Sequence, residues 1–138
     1  MTGRAHGAFD VKLTPLPLAH DNAESTLGRM SIDKQFHGAL DATSEGEMLS
    51  AGTNVKGSAG YVAIERVSGT LGGRRGTFVL QHSASMNRGA PRLTIAVVPD
   101  SGTGELTGLT GTMTIEVTHG QHFYTFEYAV PQHEKEDS

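Results

Sequence analysis

The chain contains no cysteine. That excludes a disulfide scaffold, a thiol nucleophile and any thiolate-held metal. It also lacks long apolar runs. Nothing approaches the roughly 20 consecutive apolar residues of a membrane-spanning helix. The first residues, MTGRAHGAFDVKL, have no apolar centre of the secretory kind, so the cytoplasm is the default expectation and no membrane partner is expected. Basic residues do not dominate: 11 Lys and Arg stand against 15 Asp and Glu, a net charge of -4. A surface of that balance does not neutralise phosphates, so nucleic acid is not an expected partner. Helical periodicity is absent as well. Charged residues are only 19% of the chain, too few for a charge-extended disordered polymer.

What the chain does have is glycine, 18 residues of it spread along 138. Short runs of valine, isoleucine, threonine and aromatics lie between the glycines. This is the pattern of strands joined by tight turns. Eight strands are readable, at 5–14, 27–40, 46–54, 59–68, 76–86, 92–99, 111–119 and 121–130. Segment 15–26, with two prolines, reads as a loop, and 131–138 reads as a polar tail. The expectation is one domain over 1–138, all-β, folded as a small closed antiparallel eight-stranded up-and-down barrel, with a two-sheet sandwich as the rival architecture. Closure removes the exposed edges that eight sequential strands would otherwise leave.

An internal repeat sharpens this. Gly69-Thr-Leu71-Gly-Gly73-Arg-Arg-Gly76-Thr77-Phe78 matches Gly104-Glu-Leu106-Thr-Gly108-Leu-Thr-Gly111-Thr112-Met113, offset by 35 residues. The shared pattern predicts two hairpins built on one kind of turn, both at the same barrel end, with the leucine plugging that end. A phosphate-binding loop is not indicated, because no Gly-Lys-Ser/Thr follows and no helix begins.

The repeat also assigns faces. A tight turn at His119-Gly120 places Val117 opposite His122, Ile115 opposite Tyr124 and Met113 opposite Phe126. That face is apolar and should point inward. Shifting by 35 puts Phe78, Leu80 and His82 inward too. If Ser68 pairs with Thr77, then Val67, Glu65 and Ala63 face them, with Tyr61 further on. Lys34 alternates with Met30, Ile32 and Phe36 and belongs to the same interior.

The resulting constellation is the candidate site. Glu65 and His82, diagonal neighbours within reach, are the expected catalytic pair. Tyr61, His122, Tyr124, Lys34, Phe78, Leu80 and Phe126 are the expected ligand-binding residues. A carboxylate buried in a barrel has a raised pKa unless it is paired, and a carboxylate–histidine pair suits acid–base work. The competing reading is that these groups satisfy one another and only fix the register. Two histidines and a carboxylate form a facial set in principle, but no tight ligand spacing supports it, so no metal and no cofactor are expected. His6, His20, His37, His119 and His133 fall on turns, tails or the outward face. Glu45-Gly46-Glu47 reads as a turn or strand start, with Glu47 inward only if that strand begins inward. Arg74-Arg75 reads as a solvated turn.

The runs GEMLSAGTNVKGSAGYVAIERVSGTLGGRRGTFVLQH, VVPDSGTGELTGLTGTM and GQHFYTFEY closely resemble a bacterial family known as a domain of unknown function, number three-two-two-four. The resemblance spans Gly7 to Tyr128. It implies a barrel similar to plant allene oxide cyclase, with a cavity and often an oligomeric state. One departure is Ala39, where the family pattern carries an acid. The plant enzyme cyclises an unsaturated epoxide by holding it in a shaped apolar cavity, with a glutamate assisting. The resemblance carries that glutamate only to Glu65.

Two functions follow as expectations. The first is a barrel that binds a small, largely apolar or amphipathic molecule and, where chemistry follows, isomerises or cyclises it by confinement. Glu65 would then act as base or charge stabiliser, and a histidine as proton relay. The second is a non-enzymatic carrier or oligomeric module, with outward Val62, Ile64, Val79 and Phe123 as subunit contacts. A cavity of about 300 Å3 or more, open at the Tyr61 and His122 end, favours the first.

Overall fold

A computed structural model of the chain describes residues 2–20 and 26–131. Residues 21–25 of the expected loop and 132–138 of the expected tail, His133 included, lie outside the described residues. Eight strands form: β1 (Thr2–Pro15), β2 (Leu27–Phe36), β3 (Leu40–Gly52), β4 (Ala59–Leu71), β5 (Arg74–Asn87), β6 (Ala90–Val97), β7 (Thr110–Thr118) and β8 (Gln121–Ala129). Neighbours in sequence pair antiparallel, and β1 returns to β8, which closes the barrel. No described helix is long and apolar enough to cross a membrane.

The period of two in the sequence becomes inside and outside. Along β4, Ala63, Glu65, Val67 and Leu71 are buried, while Val62 and Ile64, at alternate positions, are exposed. The pairings expected from the turns are present: Ser68 opposite Thr77, Ala63 opposite His82, Val117 opposite His122, and Met113 opposite Phe126. The core lies toward the end where β4 turns into β5. Phe78 stacks on Phe126 at 5.7 Å, and Phe36 meets Tyr124 edge-on at 5.5 Å. Leu71, Leu106 and Leu109 close that end.

Two expectations are corrected. The strand read as 27–40 ends at Phe36, and the next begins at Leu40, not 46. Gly38, at φ +106°, turns the chain between them. Neither a proline nor an Asn/Asp-Gly pair announces this turn. Tyr124 holds it instead: its hydroxyl donates to His37 O at 2.7 Å and accepts from Leu40 N at 3.2 Å. The two repeat copies also differ. The first is a two-residue hairpin at Gly72-Gly73, with both φ angles positive and Leu71 already paired to Arg74. The second is no tight hairpin. Pro99 has no N–H for a ladder, Asp100 takes φ +65°, and a 3-10 turn forms at Gly104–Leu106.

The copies do share one barrel end, and they pack side by side. Thr103 N donates to Thr77 O at 2.8 Å, and Glu105 accepts from Arg75 N at 2.9 Å. Gly76 permits this approach, because a Cβ there would sit 2.1 Å from Thr103 O. The connection after β6 thus keeps bonding to β5. The β6–β7 seam is correspondingly thin, with one register pair, Ala96 opposite Thr112.

Candidate functional site

Away from the plugged end, the inward-facing residues enclose a chamber of about 200 Å3. Its apolar walls include Phe9, Ile32, Ala63, Leu93 and Ile115; its polar members are Lys34, Tyr61, His82 and His122. Met48, Tyr61 and Leu93 also line a groove of about 400 Å3 along the ends of β3 to β6, so the chamber opens into it. The inner volume is below the 300 Å3 set as the mark for a ligand pocket. The groove supplies the larger outer part.

Glu65 is fully buried beside the chamber and is not among its lining residues. Its Oε2 accepts from Lys34 Nζ at 2.8 Å and lies 2.5 Å from His82 Nε2; its Oε1 accepts the Ser44 hydroxyl at 2.5 Å. Gly46, directly opposite on β3, leaves the space, since a Cβ there would lie 2.0 Å from Ile64 O. Lys34 is placed further by two rings, its Nζ 5.0 Å from the Phe9 centroid and 5.6 Å from that of Phe36. The structure thus brings Lys34, Glu65 and His82 into one network.

Burial pushes the Glu65 carboxyl up. The hydrogen bond from His82, the charge and hydrogen bond of Lys34 and the Ser44 hydroxyl outweigh it and hold the group at about 2. This reverses the raised pKa expected of an unpaired buried carboxylate. At neutral pH Glu65 is an anion and a weak base. It acts through Lys34 and His82, whose positions it fixes. Tyr61, half-buried with its ring 6.3 Å from His82, has its pKa raised by burial and then by the Glu65 charge, so its hydroxyl keeps its proton. The second nitrogen of His82, Nδ1, is buried without a hydrogen-bond partner.

The expected ligand-binding residues divide. Tyr61, Lys34 and His122 line the chamber, with His122 against Phe9 at 5.2 Å. Tyr124, Phe78, Leu80 and Phe126 do not; they belong to the packed core. Tyr124 spends its hydroxyl on the 37–40 turn. Glu47 faces outward and pairs with Arg29 at 2.8 Å. Ser44 falls outside the strand expected at 46–54, because β3 begins at Leu40. Its alternation with Leu40, Ala42 and Met48 is the signal that marks it as inward. Among the described residues, no three His, Asp or Glu side chains are grouped to hold a metal ion.

Residues 5–128 match the family described as Protein of unknown function (DUF3224), and the chain belongs to it. The chain is similar to a solved protein of unknown function from that family, from Shewanella oneidensis MR-1. The two are 54% identical, with a TM-score of 0.90, over 96% of this chain and 100% of that one. No curated protein matches the chain.

Proposed function

We propose that this barrel binds a small, largely apolar or amphipathic molecule at its open end. The molecule's apolar body occupies the chamber and outer groove, and its polar group meets the polar side chains Lys34, Tyr61, His82 and His122. The observation that carries this reading is a chamber with mostly apolar walls and four polar members, Lys34, Tyr61, His82 and His122, that opens into a larger outer groove. Native mass spectrometry of the intact chain, purified from cells, should retain a small molecule. Replacing Ala63 by Leu, which fills the chamber, should abolish that retention. Retention unchanged by the filled chamber would contradict the reading.

Isomerisation or cyclisation, as in an allene oxide cyclase-like barrel, is the finer form of this proposal. It requires confinement of a reactive conformer, with Glu65 as a fixed anion behind Lys34 and His82 and no part as the base. The carrier reading is favoured by one observation: every oxygen of Glu65 is already matched, which suits a fixed wall better than a proton relay. Turnover of a bound molecule separates the two. Contact between copies of the chain is proposed on the outward face, where Leu49, Val62 and Ile64 are about half exposed. Light scattering reads it directly, and a monomer at micromolar concentration would rule it out.

A further inference from the structure

The open end of the barrel combines exposed apolar side chains with basic ones. Leu13, Val55, Met86, Leu93 and Val117 stand there, exposed by 41 to 59%. They come from β1, β5, β6, β7 and the connection between β3 and β4, so they ring the mouth and form no single flat face. Apolar side chains gathered in one region of a surface mark an interaction site. Two connections at this end are joined into one lobe. Gly89 N donates to Gly57 O at 2.9 Å, and Arg88 N donates to the Ser58 hydroxyl at 3.0 Å. Within the first connection, the Thr53 hydroxyl donates to Ser58 O at 2.8 Å and accepts from Val55 N at 3.1 Å. The lobe carries Lys56 and Arg88, with Arg92 close behind on β6, all exposed. Among the described residues of the four connections at this end, no acid is present; Asp21 and Glu24 lie outside the described residues. Glu47 is paired with Arg29, and Glu116 on β7 stands against the basic side chains.

A net charge of -4 does not forbid an anionic partner here, because Asp41, Asp100, Glu105 and Glu127 lie at the plugged end. β4 runs 13 residues between the two ends. At the usual strand rise and barrel tilt the ends stand about 30 Å apart, beyond the roughly 8 Å screening length of physiological salt. Charge and shape then select the partner. A second copy set mouth to mouth would bring Lys56, Arg88 and Arg92 against their counterparts, and like charges repel. A rigid protein would have to match a ring around a hollow. Fluid lipid adapts to such a ring: anionic headgroups meet the basic side chains, and the acyl boundary takes the apolar ones. We propose that the open end docks on the surface of an anionic lipid bilayer, with the lobe of Val55, Lys56 and Arg88 as the first contact. Surface contact needs no spanning segment, so the proposal departs from the expectation of no membrane partner. It goes beyond ligand binding and holds with the chamber filled or empty.

Vesicle co-sedimentation of the full chain tests this, with phosphatidylcholine alone and with one-third phosphatidylserine added. The chain should bind the anionic vesicles about tenfold or more above the neutral ones and should be released as salt rises. Lys56→Gln, Arg88→Gln and Arg92→Gln should weaken binding about fivefold each and about a hundredfold together. The salt dependence of the unaltered chain reads the same charge contact without any variant. Arg74→Gln with Arg75→Gln, at the plugged end, should change nothing; a loss there would overturn the orientation. Val55→Asn should weaken binding severalfold and Val62→Asn, on the outer wall, should not; equal effects would overturn the contact. Ala63→Leu, which fills the chamber, should leave sedimentation unchanged, so docking and ligand binding fail separately. Equal binding to both vesicles, or to neither, would overturn the proposal. So would displacement by soluble glycerophosphoserine at fixed ionic strength, which would show a headgroup site in place of a surface. A dimer in light scattering that Val55→Asn dissolves would overturn it by seating a second copy at the mouth.

Discussion

At the end where β4 turns into β5, inward positions carry Leu71, Phe78 and Phe126, each at most 1% exposed. At the other end, inward positions carry Leu13, Met86, Leu93 and Val117, exposed by 42 to 59%. Both sets occupy the inner face of the barrel, and Phe78 and Met86 share it on one strand, β5. Alternation decides which way a side chain points, and the connections decide whether it is covered. At the first end, the segment after β6 returns Leu106 and Leu109 into the barrel mouth. At the second end, the exposed turns Arg88-Gly89 and His119-Gly120 contribute no such plug. The network of Lys34, Ser44, Glu65 and His82 stands at the boundary between the solid half and the hollow one.

The largest expected effect breaks the solid end. Phe126→Ala removes a fully buried ring stacked between Phe78 and Tyr128. It should cost about 3–5 kcal/mol in urea unfolding. Leu93→Ala at the open end should cost under about 1 kcal/mol, because its side chain is already partly in water. Equal costs at the two sites would erase the distinction between the ends.

Next in size is the boundary. Glu65→Gln leaves the Lys34 ammonium enclosed without a counter-charge and should lower stability by about 3 kcal/mol. Adding Lys34→Met should restore part of that loss, which a double-mutant cycle would measure. An additive result would mean that the two side chains do not depend on each other.

A smaller effect appears in acid. The Glu65 carboxyl is held at about 2 in the fold, below its ordinary 4.5. The unfolded chain therefore binds the proton more readily. The stability contributed by the ionised group is complete above pH 4.5 and is lost as pH falls toward 2. In Glu65→Gln this part of the acid slope should vanish from unfolding curves collected between pH 5 and 2. An unchanged slope would assign it to other carboxylates.

The smallest change in stability sharpens the comparison most finely. Leu93→Ser should leave unfolding within about 0.5 kcal/mol of the parent. It should weaken binding of toluene, as an apolar probe, severalfold by wetting the shared wall of chamber and groove. Undiminished binding would place the probe elsewhere.

Much of this was legible in the sequence because register and face follow from local rules. The His119-Gly120 turn set the β7–β8 pairing, and the repeat carried it to β5, which placed Glu65 and His82 on the interior wall. Lys34 followed from alternation with Ile32 and Phe36. What was not legible depends on contacts distant in sequence. The 37–40 turn is held by Tyr124, and without it Ser44 could not be assigned to a strand. The second repeat copy shares the pattern of the first but follows Pro99 and Asp100, and their backbone demands convert a hairpin into a plug. That plug, and with it the difference between the ends, has no periodic signature.

Diffraction from crystals pressurised with xenon tests the central claim most directly, because xenon fills dry apolar space without needing a particular ligand. Xenon should occupy the chamber between Ile32, Ala63, Leu93 and Ile115 and should be absent among Leu71, Phe78 and Phe126. Xenon at the plugged end, or at neither end, would contradict a barrel that is solid in one half and hollow in the other.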